Sequence, residues 1–262
     1  MTFSIIGTGN IAWFFGNRLV TGRHHCTGVY ARNKKAALAL SEALLADHYG
    51  GVADMEDGEA DVCILAVSDI AITKVAAQLS FKQTMLLHTA GAAGLDTITT
   101  AKDRAVLWPV YSILKNNPPD HRNIPCAWEA SSEKAKRCVL AMGHAISDVL
   151  FEAKYEQRKW LHLSAVIGNN FINHLLAICE QLCTDNNLPF SVLMPIIEQT
   201  FDRIRHSSAQ VLQTGPAIRH DDTTIEQQVK LLEKHPQWQK IYEAITNSIQ
   251  DNNLQKQEKI AR

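Results

Sequence analysis

Short apolar runs separated by helix-sized stretches of mixed character set the pattern of the chain as far as residue 152. Phe3 to Ile6, Cys26 to Tyr30, Val62 to Val67, Met85 to His88, Ala105 to Trp108, Pro125 to Trp128 and Asp148 to Phe151 each read as a strand. Runs of that length with helical segments between them are produced by βαβ units around a largely parallel sheet, whose strands are buried on both faces. After Glu152 the strand signal stops. Ala153 to Asp185 reads as one long helix, Asn186-Asn187-Leu188-Pro189 as a break, and further helix as running to about Gln213. Thr223-Thr224-Ile225-Glu226 fits a capping box that opens another helix, and Pro236 is placed as the first residue of a last one. The polar tail from Asp251 to Arg262 is expected to fray. The pattern therefore predicts an α/β parallel-sheet domain over residues 1–152 and an all-helical domain over 153–262.

Composition narrows the function classes. The 262 residues carry 26 Lys plus Arg against 27 Asp plus Glu, a formal net charge of −1. A balance so close to neutral excludes a phosphate-backbone binder and a polybasic membrane-surface protein, since both need a net positive field. No apolar stretch approaches the roughly 18 residues of a bilayer span, and the N-terminus runs directly into a strand rather than a signal peptide. The six cysteines, Cys26, Cys63, Cys126, Cys138, Cys179 and Cys183, are scattered. Only Cys179 and Cys183 are near neighbours, at helical rather than zinc or redox spacing. All six read as reduced thiols in a cytoplasmic protein, and the isolated His24, His25 and His206 leave no metal site.

The candidate chemistry begins at the first strand. Gly7-Thr8-Gly9-Asn10-Ile11-Ala12 follows it and opens a helix, with Gly16 one turn on. The first glycine permits the tight turn, the second lets backbone approach a diphosphate, and the small residues let the helix pack closely. That is the fingerprint of a Rossmann-like dinucleotide site, with Gly7, Thr8, Gly9, Asn10 and Ile11 around the diphosphate. An NAD site wants an acidic residue at the end of the second strand; Tyr30-Ala31-Arg32-Asn33-Lys34-Lys35 stands there instead. Arg32, Asn33 and Lys35 are suited to a 2′-phosphate, which favours NADP(H) and weakens an S-adenosylmethionine reading. Lys34 and Lys35 also read as an ordinary solvated helix start. Ala66, Val67 and Ser68 at the next strand end are expected to border the nicotinamide ribose. His88, at the strand end after that, either contacts the nicotinamide or substrate or caps its own turn.

Taken together, Gly-x-Gly-x-x-Ala, Ala31-Arg32-Asn33, Leu65-Ala66-Val67-Ser68-Asp69, His88-Thr89-Ala90-Gly91-Ala92 and Thr214-Gly215-Pro216-Ala217-x-Arg219-x-Asp221 resemble one family. It is a little-characterised group of NADP oxidoreductases with a Rossmann-like N-terminal domain and a DUF2520-type helical C-terminal domain. Its layout is similar to that of pyrroline-5-carboxylate reductase and the β-hydroxyacid dehydrogenases. The resemblance implies an NADP-linked oxidoreductase that forms a homodimer, with a small-molecule substrate. It also raises Thr214 and Arg219 as substrate-binding residues. This chain departs from the family with Trp108 before Pro109 where His is expected, Ala90 for Ser and His220 for Gly.

On a continuous α-helix His162, Val166, Asn169, Asn170 and Asn173 share one broad face, marking that helix as the wall of a substrate cleft between the domains. The β-hydroxyacid dehydrogenases carry Lys-x-x-Asn-Asn there. Here the asparagines are kept and the lysine is Val166. One turn earlier His162 offers the proton for a carbonyl or imine, and Asn169 or Asn170 orients substrate. A histidine merely hydrogen-bonded between domains is the plainer alternative. Hence the sequence supports an NADPH-dependent reductase of a small carbonyl or imine compound. Its alternatives are an NADP(H)-binding regulator without catalysis and a deazaflavin-linked NADP reductase.

Overall fold

The computed structural model describes residues 1–260, with side chains as far as residue 252. Eight strands form one sheet: β1 (Thr2–Ile6), β2 (His25–Tyr30), β3 (His48–Gly50), β4 (Val62–Leu65), β5 (Met85–His88), β6 (Arg104–Pro109), β7 (Cys126–Ala130) and β8 (Leu150–Glu152). Their spatial order is β3-β2-β1-β4-β5-β6-β7-β8, and only the β6–β7 pairing is antiparallel. The chain leaves β1 toward β2 on one side and returns to β4 on the other. The carboxyl end of β1 is thus a topological switch point, where such sheets open a crevice for ligands.

The unbroken apolar runs follow from burial on both faces. Ile5 and Ile64 join a core with α1 (Asn10–Thr21), α2 (Lys34–Leu44) and the helix Glu133–Ile146, whereas Ile6 and Leu65 join a second core with the helix Asp69–Ala76. All seven expected strands are present. The eighth, His48–Gly50, escapes a pattern search because a three-residue edge strand with two exposed positions has no apolar run.

Beyond the sheet the expected single helix is interrupted. One α-helix spans Tyr155–Ala165, a π-helical segment spans Val166–Phe171, and a second α-helix spans Ile172–Asp185. Hydrogen bonds that skip an extra residue change the residue-per-turn count, so the shared face inferred for His162, Asn169, Asn170 and Asn173 is not carried through as one α-helical stripe. Asn169, Asn170 and Asn173 are all exposed. Helix Met194–Ile204 stops short of the expected Gln213, as the following polar residues close into tight turns. Helix Asp222–Leu231 is capped by Asp221 rather than by Thr223: Thr224 donates its N–H and its hydroxyl to the Asp221 carboxylate at 3.1 and 2.8 Å. Those bonds hold the Asp221 pKa below the usual carboxylate range. Helix Pro236–Ile260 begins at the expected proline and carries helix into the tail that was expected to fray; residues 261–262 of that tail lie outside the described residues.

By packing, the chain forms two compact units, Met1–Asn170 and Phe171–Arg262. Strands end at Glu152, but the first unit continues through helix Tyr155–Ala165, whose Arg158 is buried among the strand-end loops. The second unit is all helical. Among its described residues only Cys183, Ala217, Leu232 and Thr246 are buried. All six cysteines are free thiols, and no helix is long and apolar enough to cross a membrane among the described residues.

Candidate functional site

The glycine turn has the geometry its sequence suggests. Gly7 sits at φ +115°, and a Cβ there would lie 2.3 Å from the Ala66 carbonyl oxygen, so both backbone conformation and space require glycine. Gly9 is different: a Cβ on it would meet nothing within 4 Å, so the backbone faces open space. Gly9 is the N-cap of α1, offers no side-chain cap, and no acidic residue stands in the first turn. The free N–H groups and positive end of the helix are left for an outside anion. A dinucleotide diphosphate fits this opening. Asn10 begins α1 but spends its side-chain oxygen on the backbone N–H of Lys115 at 3.1 Å.

At the end of β2 the chain turns into α2. Asn33 is its N-cap, accepting the Ala36 N–H at 3.1 Å, so this side chain has a local structural task. Arg32, Lys34 and Lys35 are exposed and form no ion pair among the described residues. Two lysines in a first helical turn lie at the positive end of the helix dipole, which disfavours them unless an anion is present.

His88 has no surface for a ligand. Its ring is fully buried, with Nε2 3.3 Å from the Gly94 carbonyl and Nδ1 accepting the Ala90 N–H at 3.3 Å. Burial first, and the Arg158 charge second, push its pKa down to about 4, so it is neutral and holds its own turn. Of the two roles open to it in the sequence, the turn-capping one is the one built.

Arg158 was not legible as a site residue. It is fully buried, donates from Nη1 to Glu129 and, at 2.8 Å, to the Ala153 carbonyl, and from Nη2 to the Ala93 carbonyl at 2.8 Å. Its Nε has no partner among the described residues. One guanidinium thereby ties together the loop after β5, strand β7 and the entry to helix Tyr155–Ala165. The signal was a lone arginine in an otherwise ordinary helix start, which sequence alone does not separate from a solvated one.

One turn further along the same helix stands His162, its ring centroid 5.7 Å from that of Trp108 and tilted by 44°. Trp108 lies over Gly91, where a Cβ would come within 2.4 Å of the indole. The glycine after β5 is therefore needed to admit the tryptophan at the end of β6. His162 is half-buried, and its ring has no hydrogen-bond partner among the described residues. Val166, in the position of the dehydrogenase lysine, opens the π-helical segment in which Asn169 and Asn170 lie exposed. Ala66 and Val67 follow β4 beside Gly7, and Ser68 is the N-cap of the helix Asp69–Ala76.

In the second unit, Thr214, Pro216 and Ala217 line an apolar cavity of about 420 Å³ together with Leu175, Trp238 and Ile241. Arg219 is exposed on the same loop, near enough to Asp221 to lower that carboxyl's pKa. No group of three or more metal-ligating side chains occurs among the described residues.

A doubly covered, mostly parallel sheet with this glycine turn at its switch point defines a Rossmann-like domain, here followed by an all-helical region. Residues 124–249 match the family profile described as a domain of unknown function, DUF2520, which bears out the resemblance read from the sequence. A Bacteroides fragilis protein provisionally assigned as an NADP oxidoreductase is 29% identical, with 95% of this chain and 98% of that one aligned at a TM-score of 0.87. A Thermotoga maritima protein aligns over 97% of this chain and 99% of its own at 22% identity and a TM-score of 0.71. The 1-pyrroline-5-carboxylate reductase of Streptococcus pyogenes aligns over 96% and 98% at 14% identity and a TM-score of 0.61. The last two establish likeness of fold only. No curated protein matches the chain.

Proposed function

We propose that the protein is an NADP(H)-dependent oxidoreductase acting on a small carbonyl or imine compound. The observation that carries this reading is the open Gly9 turn together with the cations Arg32, Lys34 and Lys35, which pair with no carboxylate among the described residues. A 2′-phosphate offsets the dipole cost of the two lysines, and Arg32 can grip it with two N–H groups. The likeness to the Bacteroides fragilis protein supports the same cofactor class.

A nicotinamide dinucleotide, when bound, supplies the hydride. The remaining tasks fall to this chain. The backbone around Gly9 receives the diphosphate, and Ala66 to Ser68 border the ribose beside it. His162 donates the proton: its ring packs against Trp108, and its nitrogens have no hydrogen-bond partner among the described residues. Asn169 and Asn170 orient the substrate, and Thr214 and Arg219 keep the substrate-binding roles that the family resemblance implies. Replacing Arg32 with Asp is expected to move preference from NADPH toward NADH by about 10-fold or more, the scale of one charge-assisted pair turned repulsive. Titrating both cofactors by their fluorescence checks it, and an unchanged preference would sink the assignment.

Val166 in place of a lysine favours a second reading, an NADP(H)-binding protein without catalysis. Under both readings NADPH raises the melting temperature. Only the enzyme oxidises it when small keto acids or cyclic imines are added.

The second unit also supports a homodimer. Phe171, Val192, Ile196, Phe201, Ile204 and Val211 are all exposed in a unit with four buried residues among those described. So much open apolar surface is characteristic of a face covered by another chain, and a second copy is always available. Sedimentation of the wild type is expected to give the mass of two chains, and Phe201→Glu to shift it toward one. A monomeric wild type would rule this out.

A further inference from the structure

The connection from β6 to β7 runs as a strap against α1. Ile113 buries its side chain in the main core, and Arg18 Nη2 donates to the carbonyls of Pro119 and His121 at 2.7 and 2.8 Å. The third tie is the backbone N–H of Lys115 on Asn10 Oδ1, across 105 residues of sequence, and it lands on the first residue of α1. Lys115 is therefore fixed by its backbone at the glycine turn. Its ammonium rests 3.7 Å from the centroid of the Trp13 ring. It makes no ion pair among the described residues, although Asp120 lines the same cavity of about 290 Å³ between strap and helix.

An exposed ammonium on an aromatic face is a weakly held charge, and a phosphate oxygen is a much stronger partner for it. We propose that Lys115 is a second cationic anchor for the dinucleotide, leaving Trp13 to pair with the diphosphate at the N-terminus of α1, while Asn10 latches the strap that carries it. This rests on the dinucleotide reading above and divides the labour within it. Arg32 reads the 2′-phosphate that distinguishes NADPH from NADH, whereas Lys115 reads the diphosphate that both contain. The strap thereby becomes part of the cofactor site, although it lies far from the glycine motif in sequence.

Binding isotherms with the full-length protein test this directly, using NADPH, NADH and adenosine 2′-monophosphate, the last having no diphosphate. Lys115→Ala is expected to weaken NADPH and NADH alike by about 10-fold, to reduce the salt dependence of both, and to leave the monophosphate within about twofold. Lys115→Arg should restore dinucleotide affinity, and both variants should keep the wild-type circular dichroism. Dinucleotide affinity unchanged in Lys115→Ala, with Arg32→Asp still altering cofactor preference, overturns the Lys115 role and leaves the site reading standing. Equal losses for the monophosphate and the dinucleotides overturn it as well, since the effect would then be general charge. Failure of the wild type to bind either dinucleotide overturns both.

Discussion

Arg158→Ala is expected to destabilise the first unit by about 3–5 kcal/mol, the cost of stripping one partner from a buried, hydrogen-bonded ion pair. The guanidinium is fully buried and serves Glu129 and the carbonyls of Ala93 and Ala153. Its loss leaves a largely buried carboxylate and two carbonyls without donors. Arg158→Lys should recover little, because a single ammonium cannot reach three acceptors spread over a planar fork. A urea titration reads the effect as a lower midpoint at unchanged slope. A loss below about 1 kcal/mol would mean that water replaces the guanidinium and that the cluster is not a structural tie. The same variant should loosen the turn held by His88, since both residues bind the loop between β5 and Gly94.

His162→Ala is expected to lower turnover about 100-fold while leaving NADPH affinity nearly unchanged, the usual weight of a positioned general acid. The assay is NADPH oxidation with small keto acids and cyclic imines. Turnover equal to wild type would assign the proton to another group. The structural reason for the expectation is local. His162 touches Trp108 and holds no hydrogen bond among the described residues, whereas His88, at the end of β5, is buried, neutral and spent on its own turn.

Much of the sheet was legible because strands buried on both faces, as β1, β2, β4, β5 and β6 are along most of their length, read as short runs rich in apolar residues. The glycine turn was legible for the same kind of reason: Gly7 at φ +115° beneath the Ala66 carbonyl admits no other residue. Asn33 and Asp221 show where reading by type fell short. Both look like ligand or loop chemistry in sequence, and both turn out to cap helices. The π-helical segment was invisible because its residues are individually compatible with an α-helix, and only the hydrogen-bond ladder distinguishes the two.

What the sequence determined by itself was set by neighbours along the chain: seven of the eight strands, the turn at Gly7 to Asn10, the basic run from Arg32 to Lys35, and the change to helix after Glu152. What the tertiary structure decided was everything set by neighbours in space. Trp108 finds Gly91 and His162, Arg158 finds Glu129 and Ala93, and Lys115 finds Asn10 only when strands and loops far apart in sequence are brought together. The division is physical. Backbone conformation and hydrophobic period are local properties, whereas the burial of a charge and the partner of a polar atom depend on which surfaces the fold closes against each other.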